Sequence, residues 1–459
     1  MILKSFGYCK MLKENENLKS LSIDCLEDWR RTHYSIEITP ELDGKSVTLF
    51  GWIASIREHS GVIFITLHDK KGIVQITLQK KDAKKELLEK IRNLREHSSI
   101  GVKGIVKSME KAPHGAEIIP EAIKVLGIAK RSPPFSLFGG KLPSLDNRLD
   151  IRAIDLRRKK SQAIFKIRHE VLKAIREFLL EKDYLEIHTP KIIATATEGG
   201  AALFPILYYD KEAFLAQSPQ LYKEQLVMAF EKVFEIGPVF RAEESRTLRH
   251  LSEIISIDVE EAYINYKDVM ETIEKMISYV IENVLKNCKE ELDSLKLNLK
   301  KPDLPFKRYS YDEIVSMLKE KGEKIEWGED LSTQCLKTLG ELIPEFFFII
   351  DWPTSLKPFY IKPKHENPKI CEAFDLMNGS IEVASGGTRI SSKELLIKRI
   401  KEQGLNPESF EYHLRIFDYG MPPHAGFGLG LERLMMVLTN QENIREVSLF
   451  PRDQFRLTP

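Results

Sequence analysis

No apolar run in this chain reaches the ~20 residues that a bilayer-spanning helix needs, so no membrane partner is expected. Neither sign of charge dominates: 69 Lys+Arg stand against 68 Asp+Glu, a net charge of +1. That balance excludes a globally basic nucleic-acid binder, and any RNA surface has to be local. Cysteine is scarce. The five residues (Cys9, Cys25, Cys288, Cys335 and Cys371) contain no Cys-x-x-Cys pair, which argues against a zinc site or a disulfide framework and for reduced, structural thiols. Met1 to Ser20 mix lysine with glutamate and asparagine, without the basic start and apolar core of a secretory leader. The expected location is therefore the cytoplasm.

What the chain has is length and pattern. At 459 residues it exceeds what one core serves, so two or three domains are expected. Residues 1–30 are polar and unpatterned and read as a disordered extension. Within 31–130, β-like runs cover 46–55, 61–68, 72–78, 100–108 and 116–126, with a helical segment at 83–96. Five strands with a helix between the third and fourth is the order of an OB-fold barrel. A Pro/Ser/Gly-rich linker occupies 131–145, and a larger domain runs from 146 to 459. Its stretch at about 266–364 is Lys/Glu-rich with helical periodicity, and its helical part reads as an insertion that is partly scaffold.

Three blocks carry the chemistry. Phe240-Arg241-Ala242-Glu243-Glu244 closes an apolar strand, and Arg249-His250-Leu251-Ser252-Glu253 follows a short polar loop. This is a hairpin with cations facing one site. Arginine there can grip phosphate bidentately and never loses its charge. Far downstream, Gly428-Leu429-Gly430-Leu431-Glu432-Arg433 is a glycine-rich turn into an apolar helix, where the backbone can approach a ligand closely. Asp375 and Glu382 flank a glycine turn and are expected to face each other across a strand hairpin, as hard oxygen ligands for Mg²⁺ with Ser385 as a third. Two such acids alone are ordinarily just solvated; the Ser385-Gly386-Gly387-Thr388-Arg389 tail makes them specific.

These blocks resemble motifs 2 and 3 of the class II aminoacyl-tRNA synthetases, and the intervening residues resemble subclass IIb, the aspartyl enzymes of the archaeal kind. The amphipathic segment 164–179, followed by Tyr184-Leu185-Glu186-Ile187-His188-Thr189-Pro190, resembles motif 1, which implies a homodimer. The implied fold class is α+β multidomain: an N-terminal OB-fold β-barrel and a class II antiparallel-sheet catalytic domain with a helical insertion. The implied reaction joins L-aspartate to tRNA(Asp) through an aspartyl-adenylate, using ATP and Mg²⁺.

By that resemblance Arg241 holds the α-phosphate and the amino-acid carboxylate, and His250 and Arg433 hold the γ-phosphate end of a bent ATP. Glu243 reads the adenine or its ribose edge; Leu251, Glu382 and Gly430 complete the ATP site. Ile254 stands where many class II enzymes place an aromatic ring. Arg389 and Lys223 are the implied cations for the substrate β-carboxylate, and Gln220 and Asp258 hold its α-amino group. Glu198 resembles the lid over the amino acid, and Ser385 and Gly428 line the pocket.

In the barrel, Arg57, Phe64, Gln75 and Glu117 match anticodon-contacting positions, with Phe64 placed to stack an unpaired base. Strict archaeal aspartate enzymes typically carry a tryptophan and a lysine where this chain has Ala54 and Pro113. Proline offers no side-chain donor and no N–H. The barrel therefore leaves charging of tRNA(Asn) open. Competing readings are an asparaginyl-tRNA synthetase, a tRNA-independent asparagine synthetase-like paralogue, and a non-catalytic RNA-binding module. The order Ser385-Gly386-Gly387 and the run Met421-Pro422-Pro423-His424 favour aspartate.

Overall fold

The computed structural model describes residues 23–139, 141–194, 203–243 and 247–459. Contacts divide the chain into two compact units, Met1–Leu142 and Pro143–Pro459.

In the first unit, β1 (Ser46–His59), β2 (Val62–His68), β3 (Ile73–Gln79), β4 (Ser99–Ser108) and β5 (Ala116–Gly127) close a barrel in the order β1-β2-β3-β5-β4. Alternation drives it. Ile63, Ile65 and Leu67 of β2 and Val74, Ile76 and Leu78 of β3 point inward and are buried, while the residues between them face out. Strand β1 has 14 residues, enough to pair with both β2 and β4, and its register with β2 shifts between Ile53 and Ser55. Ala54 is thus the extra residue of a bulge. Helix α1 (Lys85–Arg92) is shorter than expected and lays Leu87 and Ile91 on the barrel core.

Two sequence expectations change here. Residues 23–30 belong to the folded unit: Asp24 exchanges hydrogen bonds with Val125 (2.7 and 2.8 Å) and pairs with Lys90 at 3.2 Å. Uniformly reduced cysteines also fail, because Cys25 is disulfide-bonded while Cys288, Cys335 and Cys371 are free and buried.

The second unit is built on an eight-stranded sheet. Its strands are β6 (Leu185–Glu186), β7 (Lys232–Phe240), β8 (Glu253–Ala262), β9 (Lys307–Ser310), β10 (Phe346–Ile350), β11 (Ala373–Asn378), β12 (Ile381–Thr388) and β13 (His424–Gly430), in the order β9-β10-β11-β12-β13-β8-β7-β6. The central pairings are antiparallel; only the two ends, β6 on β7 and β9 on β10, are parallel. Helix α2 (Lys159–Glu181), α3 (Gln220–Phe230) and α4 (Tyr266–Asn287) precede β9. α2 buries Ile164, Ile167, Val171, Ile175 and Phe178 at helical spacing in the main core, against the matching stripe of α4.

The segment 266–364 is not an appendage. Val269, Ile273, Ile277, Val280 and Val284 of α4 belong to the same core as the central strands, and β9 and β10 extend the sheet. Its Lys/Glu-rich composition describes the outer face of α4, not the buried one. The remaining part, with helices at Tyr311–Glu320 and Thr333–Leu342, packs with α5 (Lys393–Glu402) in a second cluster. Helix α6 (Leu431–Thr439) follows β13 directly.

Candidate active site

One row across the sheet sets the floor of the site. Asp258 on β8 pairs with Gly428 on β13, Gly428 with Ser385 on β12, and Ser385 with Asp375 on β11. Residues opposite each other on paired strands share a face, so these four line up side by side. A second row holds Glu260, Gly426 and Gly387. A Cβ on Gly426 would lie 2.1 Å from the Val259 carbonyl oxygen and 2.3 Å from Glu260 Oε2, so only glycine lets Glu260 lie across β13.

Above this floor opens a cavity of about 250 Å³. Gln220, Arg241, Glu243, His250, Leu251, Ile254, Asp258, Glu382, Ser385, Arg389, Gly428, Gly430 and Arg433 all line it. Residues far apart in the chain meet because β8, β13 and β12 are neighbours in the sheet. Glu198 lies outside the described residues.

The cavity has two electrostatic ends. At one, Arg433 in the first turn of α6 donates to the Glu382 carbonyl (3.1 Å) and carboxylate (3.4 Å). Its Nη2 faces His250 Nε2 at 3.3 Å, and Thr247 Oγ1 lies 2.6 Å from His250 Nδ1. An arginine cannot accept, so Nε2 accepts and Nδ1–H donates to Thr247. Burial and then the Arg433 charge hold the His250 pKa below its ordinary 6.5. The stability this gives is full above pH 6.5 and is lost as pH falls through the lowered folded value. Thermal melts from pH 8 to 5 are expected to show His250→Gln losing less stability than the wild type below pH 6.5.

At the other end Arg389 is buried, with Nε 2.9 Å and Nη2 3.2 Å from the two oxygens of Glu260. Burial alone would lower its pKa, but the Glu260 charge and hydrogen bonds raise it above the ordinary arginine value. The guanidinium rests over the Tyr360 ring, 5.4 Å from its centroid. Nη1 has no hydrogen-bond partner among the described residues. Lys223 stands behind the wall instead of on it: its ammonium bonds Asp258 Oδ1 at 3.0 Å and lies 3.3 Å from Glu260. Gln220 donates its amide N–H to Glu224 Oε1 at 2.6 Å. A carboxylate only accepts, so the Gln220 carbonyl oxygen is left for a donor.

Asp375 and Glu382 are not directly opposite each other. The turn register, with Asn378 on Ile381, sets Glu382 against Met377, and a bulge between Leu376 and Met377 then brings Asp375 against Ser385. The two acids still sense each other. Burial raises the Asp375 pKa, Lys357 opposes the rise, and the Glu382 charge adds to it. Lys357 contacts both Asp375 oxygens at 2.7 Å. Among the described residues no group of three or more His, Cys, Asp or Glu is arranged for a metal. Two carboxylates and a hydroxyl on one edge of a cationic cavity fit Mg²⁺ that takes further oxygens from phosphate and water.

A family described as tRNA synthetases class II (D, K and N) matches residues 144–454, and an OB-fold nucleic acid binding domain matches 47–126. The chain belongs to the class II aminoacyl-tRNA synthetases. It is 50% identical over 427 residues to the aspartate–tRNA(Asp/Asn) ligase of Archaeoglobus fulgidus, covering 93% of this chain and 99% of that one. The Methanocaldococcus jannaschii protein of the same name is 49% identical over 433 residues, 94% and 99% of the two chains. Among solved structures, Pyrococcus horikoshii asparaginyl-tRNA synthetase complexed with asparaginyl-adenylate has a TM-score of 0.89 at 37% identity, covering 94% of this chain and all (100%) of that one. The aspartyl-tRNA synthetase of Entamoeba histolytica has a TM-score of 0.83 at 31% identity, covering 97% of each chain.

On the barrel of this synthetase, Arg57 pairs with Phe64 and Phe64 with Thr77 across β1, β2 and β3, while Gln75 pairs with Glu117. Phe64 lies between buried Ile63 and Ile65, so it is half-buried on the outer face and not in the core. Glu117 is buried, and accepts from Gln75 Nε2 at 2.9 Å and Thr77 Oγ1 at 2.5 Å. Gln75 is thereby oriented with its carbonyl oxygen available. Pro113 opens a one-turn helix before β5, and the next residue, His114, is exposed with φ +60°.

Three parts of the synthetase site escaped the sequence reading. Glu260 orients Arg389, and Lys357 neutralises Asp375. The third is Glu224, fully buried and within 3.3 Å of His413 and 3.7 Å of His424. Burial would raise its pKa, but the two imidazoles hold the carboxyl far below the usual range. A period-3.6 signal places Glu224 one turn from Gln220 on α3; nothing in the sequence brings His413 and His424 to it.

Proposed function

We propose that this synthetase is an aspartate–tRNA ligase that charges both tRNA(Asp) and tRNA(Asn). The observation that carries the amino acid is the Arg389 guanidinium, locked on Glu260 in the wall of the cavity. A fork fixed in that way suits a carboxylate at the substrate's far end, while the order Ser385-Gly386-Gly387 and the run Met421-Pro422-Pro423-His424 favour aspartate over asparagine. The Gln220 carbonyl oxygen and Asp258 hold the α-ammonium. The α-carboxylate then lies beside Arg241 and attacks the α-phosphorus of ATP; the new bond is C–O–P, and pyrophosphate leaves. Positioning and charge do the work. Arg241 stabilises the α-phosphoryl oxygens, His250 and Arg433 hold the γ-phosphate, and Glu243, Leu251 and Gly430 border the nucleotide.

Asp375, Glu382 and Ser385 would hold Mg²⁺, which supplies charge neutralisation on the phosphates when bound. In the second step the 3′-hydroxyl of the terminal adenosine attacks the aspartyl carbonyl, and AMP leaves. Residues 31–130 serve as the anticodon-binding domain and 146–459 as the catalytic one, with the enzyme working in the cytoplasm. Among the described residues no helix is long and apolar enough to cross a membrane. A homodimer is supported by β6, the edge strand of the large sheet, which leaves Leu185 exposed, as are Phe230 at the end of α3 and Tyr263 just after β8.

Broad tRNA specificity rests on Ala54 and Pro113. The two anticodons differ in their third base, and one good polar contact to a base is worth roughly 1–3 kcal/mol of discrimination. Ala54 lies in a bulge and has no polar side chain; Pro113 has no donor. Side-by-side charging of the two tRNAs with aspartate is expected to give kcat/KM values within about tenfold. A preference of about a hundredfold or more for tRNA(Asp) would overturn the broad reading, and efficient charging with asparagine would overturn the aspartate one.

A further inference from the structure

Behind Gln220 stands a carboxylate to which the reaction above assigns no part. Glu224, one turn further along α3, is fully buried, as are His413 of the short helix Glu411–Leu414 and His424 at the start of β13. Glu224 Oε2 lies 3.3 Å from His413 Nε2 and 3.7 Å from His424 Nε2, while Oε1 accepts from the Gln220 amide at 2.6 Å. Of these three partners, Gln220 alone lines the cavity.

A carboxylate shut away from water costs stability unless it is paired and hydrogen-bonded, and an apolar side chain at this position of α3 would avoid that cost. The histidines supply the compensation. His424 Nδ1 lies 2.8 Å from the Pro422 carbonyl and Nε2 faces the Glu224 carboxylate, and neither of those groups can donate. Both ring nitrogens thus carry protons, and the ring is a cation. Burial alone would lower the His424 pKa, but the nearby Glu224 carboxylate, and after it Glu260, raise it above the ordinary 6.5. Glu224 therefore meets Gln220 as an anion. The two ends of an amide are nearly isosteric, so an unanchored glutamine can turn either its oxygen or its nitrogen to a ligand. Here the wrong rotamer would set two acceptors 2.6 Å apart.

We propose that Glu224 is a positioning residue for the amino acid: braced by His413 and His424, it holds the Gln220 amide with its carbonyl oxygen toward the α-ammonium of aspartate. The inference rests on the ligase reading above and deepens it. The same triad also touches the far end of the substrate site, since the His424 carbonyl accepts from the Arg389 backbone N–H at 2.9 Å. Succinate separates the two ends, because it carries both carboxylates of aspartate and no ammonium.

The test compares full-length Glu224→Met, Glu224→Asp and Glu224→Gln with wild type in aspartate-dependent pyrophosphate exchange, with succinate as the competing inhibitor. Glu224→Met frees the Gln220 amide and is expected to raise KM for aspartate about 10- to 100-fold, the worth of a hydrogen bond to a charged group, with kcat within about threefold and the succinate inhibition constant within about twofold of wild type. Glu224→Asp keeps the charge that the histidines need but withdraws it by one methylene from Gln220. It should move KM in the same direction, and it carries the test if thermal melts show that Glu224→Met has lost its fold. Glu224→Gln still accepts from Gln220 through its carbonyl and should bring KM back to within about threefold of wild type. An aspartate KM unmoved in the folded variants, or aspartate and succinate weakened by the same factor, overturns the positioning role alone. Absence of aspartate-dependent exchange in the wild-type protein overturns the ligase reading, and the inference with it.

Discussion

Arg389→Leu is expected to reduce kcat/KM for aspartate in pyrophosphate exchange by about 10²- to 10³-fold or more, without creating efficient activation of asparagine. Two losses combine. The substrate carboxylate loses its fork, and Glu260 loses the bidentate partner that neutralises it at 2.9 and 3.2 Å. Breaking a buried pair by removing one member typically costs about 3–5 kcal/mol, and each 1.4 kcal/mol is about tenfold. Asparagine gains nothing, because Lys223 remains within 3.3 Å of Glu260 and 3.0 Å of Asp258, and the pocket keeps its charged lining. Glu260→Gln separates the contributions. It keeps Arg389 in place with a weaker anchor, so it should raise KM for aspartate far more than it lowers kcat. An unchanged preference for aspartate in Arg389→Leu would mean that another group reads the carboxylate.

The difference between what the sequence disclosed and what it did not follows from the range of the forces involved. The barrel strands were legible because inward Ile63, Ile65 and Leu67 alternate with outward neighbours, a signal contained in seven residues. Arg241, His250, Arg389 and Arg433 were legible because each sits in a short motif whose glycines and charges have a local reason. Glu260 was not, since its function depends on Gly426 clearing space on a strand 166 positions later in the chain, a number set by topology. Lys357 was likewise hidden: it lies in an irregular segment, 18 residues before the Asp375 it contacts. The bulge at Leu376 and Met377 set Asp375 against Ser385, and a one-residue irregularity leaves no compositional trace. The stretch 266–364 carries two signals at once. Its charge density reflects the solvent face of α4, while the buried stripe on the other face makes it part of the main core.

Glu382→Ala is expected to abolish pyrophosphate exchange, by about 10³-fold or more, and to leave both tRNA binding and thermal stability near wild type. The Glu382 side chain is 44% exposed, and its ion pair with Arg433 at 3.4 Å is of the exposed kind that contributes little to folding. Its worth lies in the chemistry: a divalent cation held there neutralises charge that builds on the phosphates, an effect of several kcal/mol. Asp375→Ala gives the contrasting case. Asp375 is buried and holds the Lys357 ammonium with both oxygens at 2.7 Å, so its loss strands a largely buried cation and should lower the melting temperature as well as the exchange rate. The pair of variants thus separates a ligand from a structural counter-ion. Exchange assays beside filter binding of tRNA and thermal melts read all three quantities, and raising Mg²⁺ should recover part of the exchange in Glu382→Ala but none of the stability lost in Asp375→Ala. Exchange at the wild-type rate in Glu382→Ala would remove it from the metal site.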